Sequence, residues 1–133
     1  MKLLISSVVL LFAVDQATAN SNCATLSTVF DGPKTDRVYA ARIASINGEN
    51  VVMEKQEHKL APGRHSVLIY HTDKSLVEHA QTRDNYPAQE MIIDVVPGKV
   101  YHLGAKFNST KRFKPEEKWT AVVWDIKDRE CQI

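Results

Sequence analysis

The sequence contains five histidines, and imidazole can serve both as a metal ligand and as a general base. His65 and His71 fall on one face of a predicted strand, but six residues of extended chain separate them by about 20 Å, so they cannot share one metal directly. His71 lies close to Asp73, and His58 or His79 would have to approach from neighbouring segments to complete a site. No pair shows a ligand spacing such as H-x-x-x-H. We therefore predict no metal site and no cofactor.

Side chains for nucleophilic catalysis are also poorly arranged. Ser66 follows His65 directly, and adjacent strand residues point to opposite faces of a sheet, so the two cannot form a dyad. The chain has no G-x-S-x-G motif, and its five glycines form no phosphate-binding loop. The acidic pairs near the C-terminus are typical of a surface. We predict no catalytic residue and no enzymatic activity.

Basic and aromatic residues near the C-terminus favour binding instead. A polar loop contains Lys111, Arg112 and Phe113, which suit an anionic glycan, a lipid head group or a protein partner. Trp119 follows this loop and offers a ring on which a sugar could stack. These four residues are the predicted ligand contacts. The alternative is a solvated loop, because Glu116 and its neighbours cancel much of the charge, with most aromatic rings in the core.

Residues 1–19 have the organisation of a secretory signal peptide. Lys2 gives a positive start, Leu3 to Val14 is an apolar run, and Ala17-Thr18-Ala19 is a small-x-small cleavage site. The apolar run is shorter than the roughly 20 residues that span a bilayer. We predict that residues 20–133 form one domain that works in the periplasm or outside the cell.

Removing this leader leaves 114 of the 133 residues, and the net charge stays at +1 because Lys2 and Asp15 leave together. A nearly neutral chain gives no electrostatic reason to expect nucleic acid or an anionic membrane as partner. No second apolar run is long enough for a membrane span.

The cysteines, Cys23 and Cys131, lie near the two ends of the predicted domain. In an oxidising compartment they favour one intramolecular disulfide. Two alternatives stay open: free or intermolecular cysteines, and a lipid anchor at Cys23. The lipid anchor fits poorly, because Asn20 and Asn22 occupy places where a lipidation motif needs an aliphatic and a small residue.

Short β-branched and aromatic runs alternate with turn residues at intervals of roughly ten, as in a sandwich or small barrel. The pattern predicts an all-β fold, a single antiparallel β-sandwich of about seven strands. Asn47-Gly48 marks a hairpin. The predicted strands are Leu26–Phe30, Val38–Ile46, Asn50–Lys55, Ser66–His71, Gln89–Val96, Lys99–Phe107 and Thr120–Ile126, with an ambiguous helical turn at Ser75–Thr82.

Alternation along these strands predicts which side chains are inside. Val67 and Ile69 share one face of their strand, and Tyr101, Leu103 and Ala105 share one face of theirs. His102, Gly104 and Lys106 should face away, into water. In the last strand Trp119 and Asp125 fall on one face, and Trp124 and Ile126 on the other, so the two tryptophans point to opposite sides.

Two segments repeat an aliphatic residue, Pro-Gly, a basic residue and an alternating strand: Leu60 to Tyr70 and Val95 to Leu103. The pattern predicts a type II turn at each Pro-Gly. The first segment resembles the strand pair of PEGA-type and carboxypeptidase-regulatory-like β-sandwiches, and the chain is similar to small exported bacterial proteins of unknown role. The resemblance implies a prealbumin-like or Ig-like sandwich and transfers no catalytic residue, because such modules are generally not enzymes.

Together these patterns predict an exported, non-enzymatic domain that binds a protein or a cell-envelope component through loops or an exposed edge strand. The alternative is a small-ligand or carbohydrate-binding module that uses exposed aromatic residues.

Overall fold

The computed structural model describes residues 21–52, 54–72, 88–108 and 119–133. These residues form nine β-strands and one short 3-10 helix, Lys34–Asp36, and no α-helix, which confirms the predicted all-β fold. The strands are β1 (Ala24–Ser27), β2 (Val38–Tyr39), β3 (Ala41–Ile46), β4 (Glu49–Asn50), β5 (Glu57–Leu60), β6 (Gly63–His71), β7 (Gln89–Val95), β8 (Lys99–Phe107) and β9 (Trp119–Asp128).

The strands form two sheets. The β6 sheet has the order β4-β3-β6-β7, and all of its pairs are antiparallel. In the β8 sheet, β8 has β9 along one side and both β1 and β2 along the other, with β5 beyond β1. Strand β8 is therefore the centre of its sheet, and β9 and β5 are the edges.

The core lies between the two sheets, as alternation predicts. Val67 and Ile69 of the β6 sheet are fully buried, and Tyr101, Leu103 and Ala105 of the β8 sheet meet them from the other side. The remaining buried members of this core are Ala24, Leu26, Ala41, Ile43, Leu60, Ile93, Val95 and Trp119.

One strand pair departs from the predicted antiparallel arrangement. Strand β1 runs parallel to β8, with Leu26 opposite Tyr101, and antiparallel to β5, with Leu26 opposite His58. The first strand is thus inserted between two strands that come much later in the chain. Hydrogen bonds and a disulfide that join its start to the C-terminal tail hold it there.

The region after the hairpin was predicted wrongly. Asn47 and Gly48 both have positive φ, 53° and 83°, as a type I′ turn requires, so the hairpin itself is confirmed. The returning strand ends at Asn50, however. After one more hydrogen bond across the hairpin, from the Val51 amide to Ala44 O, the chain turns, and the Lys55 amide donates to Val52 O. The next strand, β5, was missed because its sequence, Glu-His-Lys-Leu, contains one aliphatic residue.

The two Pro-Gly turns differ from each other. Gly98 has φ 78°, the value that the third position of a type II turn needs. Gly63 has φ 125° and is already the first residue of β6, paired with Val95, so the repeat in sequence is not a repeat of one turn.

Cys23 and Cys131 form a disulfide, with Cα atoms 5.2 Å apart. Hydrogen bonds surround it: the Asn22 amide donates to Cys131 O at 3.1 Å, and the Cys131 amide donates to Ser21 Oγ at 3.1 Å. The Asn22 side chain accepts from the Ile133 amide at 2.9 Å. Residues 21–23 and 131–133 therefore form one unit, which we call the terminal clamp.

Several predicted features lie outside the described residues, among them the ambiguous segment Ser75–Thr82 and the basic loop that precedes β9. Within the described part of the chain, no helix has the length and apolarity needed to cross a membrane.

Replacing both Cys23 and Cys131 with serine is expected to lower the free energy of unfolding by about 2–5 kcal/mol, because the disulfide closes a loop that spans most of the chain. Urea denaturation of the oxidised protein and the variant measures the loss. Reductant should destabilise the native protein by a similar amount and leave the variant unchanged. Equal midpoints for the native protein with and without reductant would contradict the disulfide's role.

Candidate binding surface on the outer face of the β8 sheet

The face of β8 that points away from the core is covered at His102 and Gly104, contrary to the prediction that these residues face water, whereas Lys106 is exposed as predicted. His102 is 4% exposed, and Gly104 is also buried. The cover comes from residues 28–38, which cross the sheet between β1 and β2, and from Trp124 of β9. The short 3-10 helix and Arg37, with φ 62°, turn this segment back towards the sheet, where the Phe107 amide bonds to Arg37 O at 3.0 Å.

Two glycines make room for this cover. A Cβ atom added to Gly104 would lie 2.6 Å from Val38 Cγ1 and 3.0 Å from Trp124 Cδ1. A Cβ atom added to Gly32 would lie 2.2 Å from the same Val38 methyl and 3.3 Å from Trp124 Cδ1. Val38 and the Trp124 ring therefore pack directly against the backbone of both Gly32 and Gly104.

A β-bulge in β9 determines which side chains join Trp124. The register shifts where β8 passes from His102 to Leu103, and Trp124 is the extra residue. Trp119 and Trp124 lie on opposite faces, as predicted. Beyond the bulge the predicted faces are wrong: Asp125 pairs with His102 on the outer face, and Ile126 pairs with Tyr101.

Phe30, His102 and Trp124 form an aromatic cluster on this covered face. The Phe30 and His102 rings meet edge to face with centroids 5.7 Å apart, and the His102 and Trp124 rings are 5.2 Å apart and tilted by 33°. The Phe30 side chain is 58% exposed, and the neighbouring Val29 is also exposed. We call Val29, Phe30, His102 and Trp124 the Phe30 surface.

Charged groups border the Phe30 surface on two sides. Glu57 of β5 accepts from Arg129 Nη1 at 2.8 Å, and this bond lowers the pKa of the Glu57 carboxyl. On the other side Asp125 forms an ion pair with Lys127 at 3.6 Å. Burial lowers the pKa of His102, and the Asp125 carboxylate offsets part of that effect.

Packing, rather than hydrogen bonding, holds the aromatic cluster. His102 Nδ1 and Trp124 Nε1 are both buried and have no hydrogen-bond partner among the described residues.

Ser27, His102 and Asp125 lie side by side on neighbouring strands, and they are the residue types of a catalytic triad. Ser27 Oγ, however, accepts from the Val29 amide at 3.3 Å, and Ser27 is almost completely buried.

The free edge of β9 is blocked at two places. The Gln89 side chain of β7 donates to Trp119 O and accepts from the Ala121 amide, so it occupies the backbone groups where β9 begins. After the bulge, the Asp125 carboxylate accepts from the Ile126 amide at 2.9 Å. Bulges and occupied backbone groups are the means by which edge strands avoid pairing with other chains.

Of the four predicted contact residues, one lies in the core and three lie outside the described residues. Trp119 is 0% exposed and packs edge to face against His71, so its ring presents no face to a ligand. Lys111, Arg112 and Phe113 lie outside the described residues. Among the residues that the structure describes, no three His, Cys, Asp or Glu side chains are placed to hold a metal ion.

Comparison of the chain with protein-family models, with curated proteins and with solved structures finds no match. The resemblance to PEGA-type modules stays a prediction, and the interpretation of the Phe30 surface depends on its geometry alone.

Replacing Gly104 with alanine is expected to lower the free energy of unfolding by about 1–3 kcal/mol, because the new methyl group overlaps Val38 Cγ1. Urea denaturation gives the value. The same replacement in a Val38→Ala background should have a smaller effect, because that background removes the methyl group it meets. Equal effects in the two backgrounds would show that Val38 does not lie on Gly104.

Proposed function

We propose that the chain is exported and acts, without catalysis of its own, as a binding domain for a protein or another cell-envelope component. Export is supported by the signal-like residues 1–19 and by the Cys23–Cys131 disulfide, since disulfides persist in oxidising compartments. The exposed Phe30 ring is the observation that carries the proposed contact surface.

The Phe30 surface has the composition of a protein contact. Exposed aromatic and aliphatic side chains at its centre are bordered by the Glu57–Arg129 and Asp125–Lys127 ion pairs, and an apolar centre with a polar rim is typical of interfaces. The Phe30 ring is already seated against His102, so little conformational freedom is lost on binding. The blocked edge of β9 favours docking of side chains on this face over addition of a partner strand.

A photo-crosslinking residue at position 30 is expected to give discrete adducts in the cell of origin when the full chain is expressed. The matched control is position 92, because Ile92 is 56% exposed but lies on the other sheet. Adducts from position 30 that are absent from position 92 support the proposal. No adduct from position 30, or the same adducts from both, would contradict it.

Carbohydrate binding is the second candidate, favoured by the half-buried Trp124 ring and by the bulge that brings the Asp125 carboxylate to the same face. Rings beside carboxylates suit sugars, which stack and donate hydrogen bonds. Titration with a glycan panel should then quench the tryptophan fluorescence, and a Trp124→Phe variant should lose the response. The fully buried Trp119 supplies the constant signal in both proteins. An unchanged emission across the panel removes this candidate.

A further inference from the structure

A cleft opens on the side of the sandwich where β4 and β5 are the edge strands, and β5 is at the opposite edge of the β8 sheet from β9. Its volume is about 380 Å³, near the lower end of the range for small-molecule sites. The β3–β4 hairpin forms one wall, and the turn before β5 with β5 itself forms the other. Strand β4 belongs to the β6 sheet and β5 to the β8 sheet, so the cleft lies between edge strands of the two sheets.

Both walls of the cleft are held in place by hydrogen bonds. On the hairpin side, Asn47 Oδ1 accepts from the Ser66 amide at 2.9 Å, and its side-chain nitrogen lies 2.9 Å from His65 Nδ1. On the other side, the Lys55 amide donates to Val52 O at 3.1 Å, and Lys59 Nζ donates to Gln132 O at 3.0 Å. A ligand would therefore enter a site that exists before it binds.

The cleft has an apolar floor and a charged rim. Ile46, Val51 and Leu60 belong to the floor, where they pack on the main core. Lys55 and Lys59 are exposed on the rim, and Glu49 is the one acidic residue among the described residues that line the cleft. The charges along the cleft thus sum to one positive charge.

His58 adds a polar atom to the lining of the cleft. It is 7% exposed, and its Nε2 donates to Lys55 O at 3.2 Å, so the proton is on Nε2. Its Nδ1 accepts no hydrogen bond from the described residues. Burial lowers the pKa of His58. The hydrogen bond to Lys55 O offsets part of this effect and the Lys55 charge adds to it, whereas a bound anion would raise the pKa.

We propose that this cleft binds a small carboxylic acid with an apolar body, the chemistry of a medium-chain fatty acid. The apolar body contacts the floor of Ile46, Val51 and Leu60, and the carboxylate faces the ammonium group of Lys55. Lys59, whose Nζ is bonded to Gln132 O, adds positive charge at the rim. One net positive charge matches one carboxylate. The inference is independent of the Phe30 surface, which lies on the outer face of the β8 sheet.

Titration with octanoate, followed by NMR of the histidine rings, tests the proposal. The His58 signals are expected to shift, and calorimetry should show that 1-octanol binds at least tenfold more weakly than octanoate. Lys55→Gln should weaken octanoate binding at least fivefold. The fold should be retained, because His58 is bonded to the Lys55 backbone and not to its side chain. Lys106→Gln, at an exposed position near the end of β8, is the matched control and should change nothing.

Four results would overturn the proposal. The first is no octanoate binding at millimolar concentration, and the second is equal binding of octanoate and 1-octanol. The third is a Lys55→Gln affinity equal to that of Lys106→Gln. Octanoate-induced shifts confined to the Phe30 surface would also overturn it, and they would leave the proposed function of that surface standing.

Discussion

The contact of Val38 and Trp124 with the bare backbone of Gly104 is the interaction on which the outer face of this protein depends. Any side chain at Gly104 would occupy the space that Val38 and the Trp124 ring fill. Because Gly104 has no side chain, residues 28–38 can pack on the β8 sheet, and the Phe30 ring contacts the His102 ring. An ordinary antiparallel sheet leaves such a face in water. In this protein the face supports the exposed Phe30 ring, which packs on the buried His102 ring.

The terminal clamp is the second constraint, and it explains the unusual position of β1. A parallel strand between β5 and β8 gains a hydrogen-bonded partner on each side, but ordering the start of the chain has a large entropic cost. The Cys23–Cys131 disulfide reduces that cost by restricting the unfolded chain. The same clamp uses Ser21 and Asn22 as hydrogen-bonding partners, so the fold depends on residues upstream of Cys23.

The sequence was sufficient for features that depend on local chemistry. Period-two alternation placed Val67, Ile69 and Leu103 inside, Asn47-Gly48 marked the hairpin, and the cysteine count indicated the disulfide. Features that depend on long-range packing were not accessible. Strict alternation carried through β9 put Asp125 on the wrong face, because a bulge has no signal in a single sequence. Phe30 was assigned to a strand, since nothing local indicates that residues 28–38 cover β8. Gly32 and Gly104 were the available hints, because isolated glycines in or beside strands often mark a close approach.

The most direct test of this account is a set of proton–proton contacts measured by NMR on the oxidised protein. We expect cross-relaxation between the Trp124 Hδ1 proton and the Val38 methyl groups, and between the Phe30 and His102 rings. Ring-current shifts of the Gly104 α-protons, lost in Trp124→Leu, should accompany them. Gly104 α-protons at ordinary shifts, with no contact between Trp124 and Val38, would contradict the account, because residues 28–38 would then not be packed on the β8 sheet.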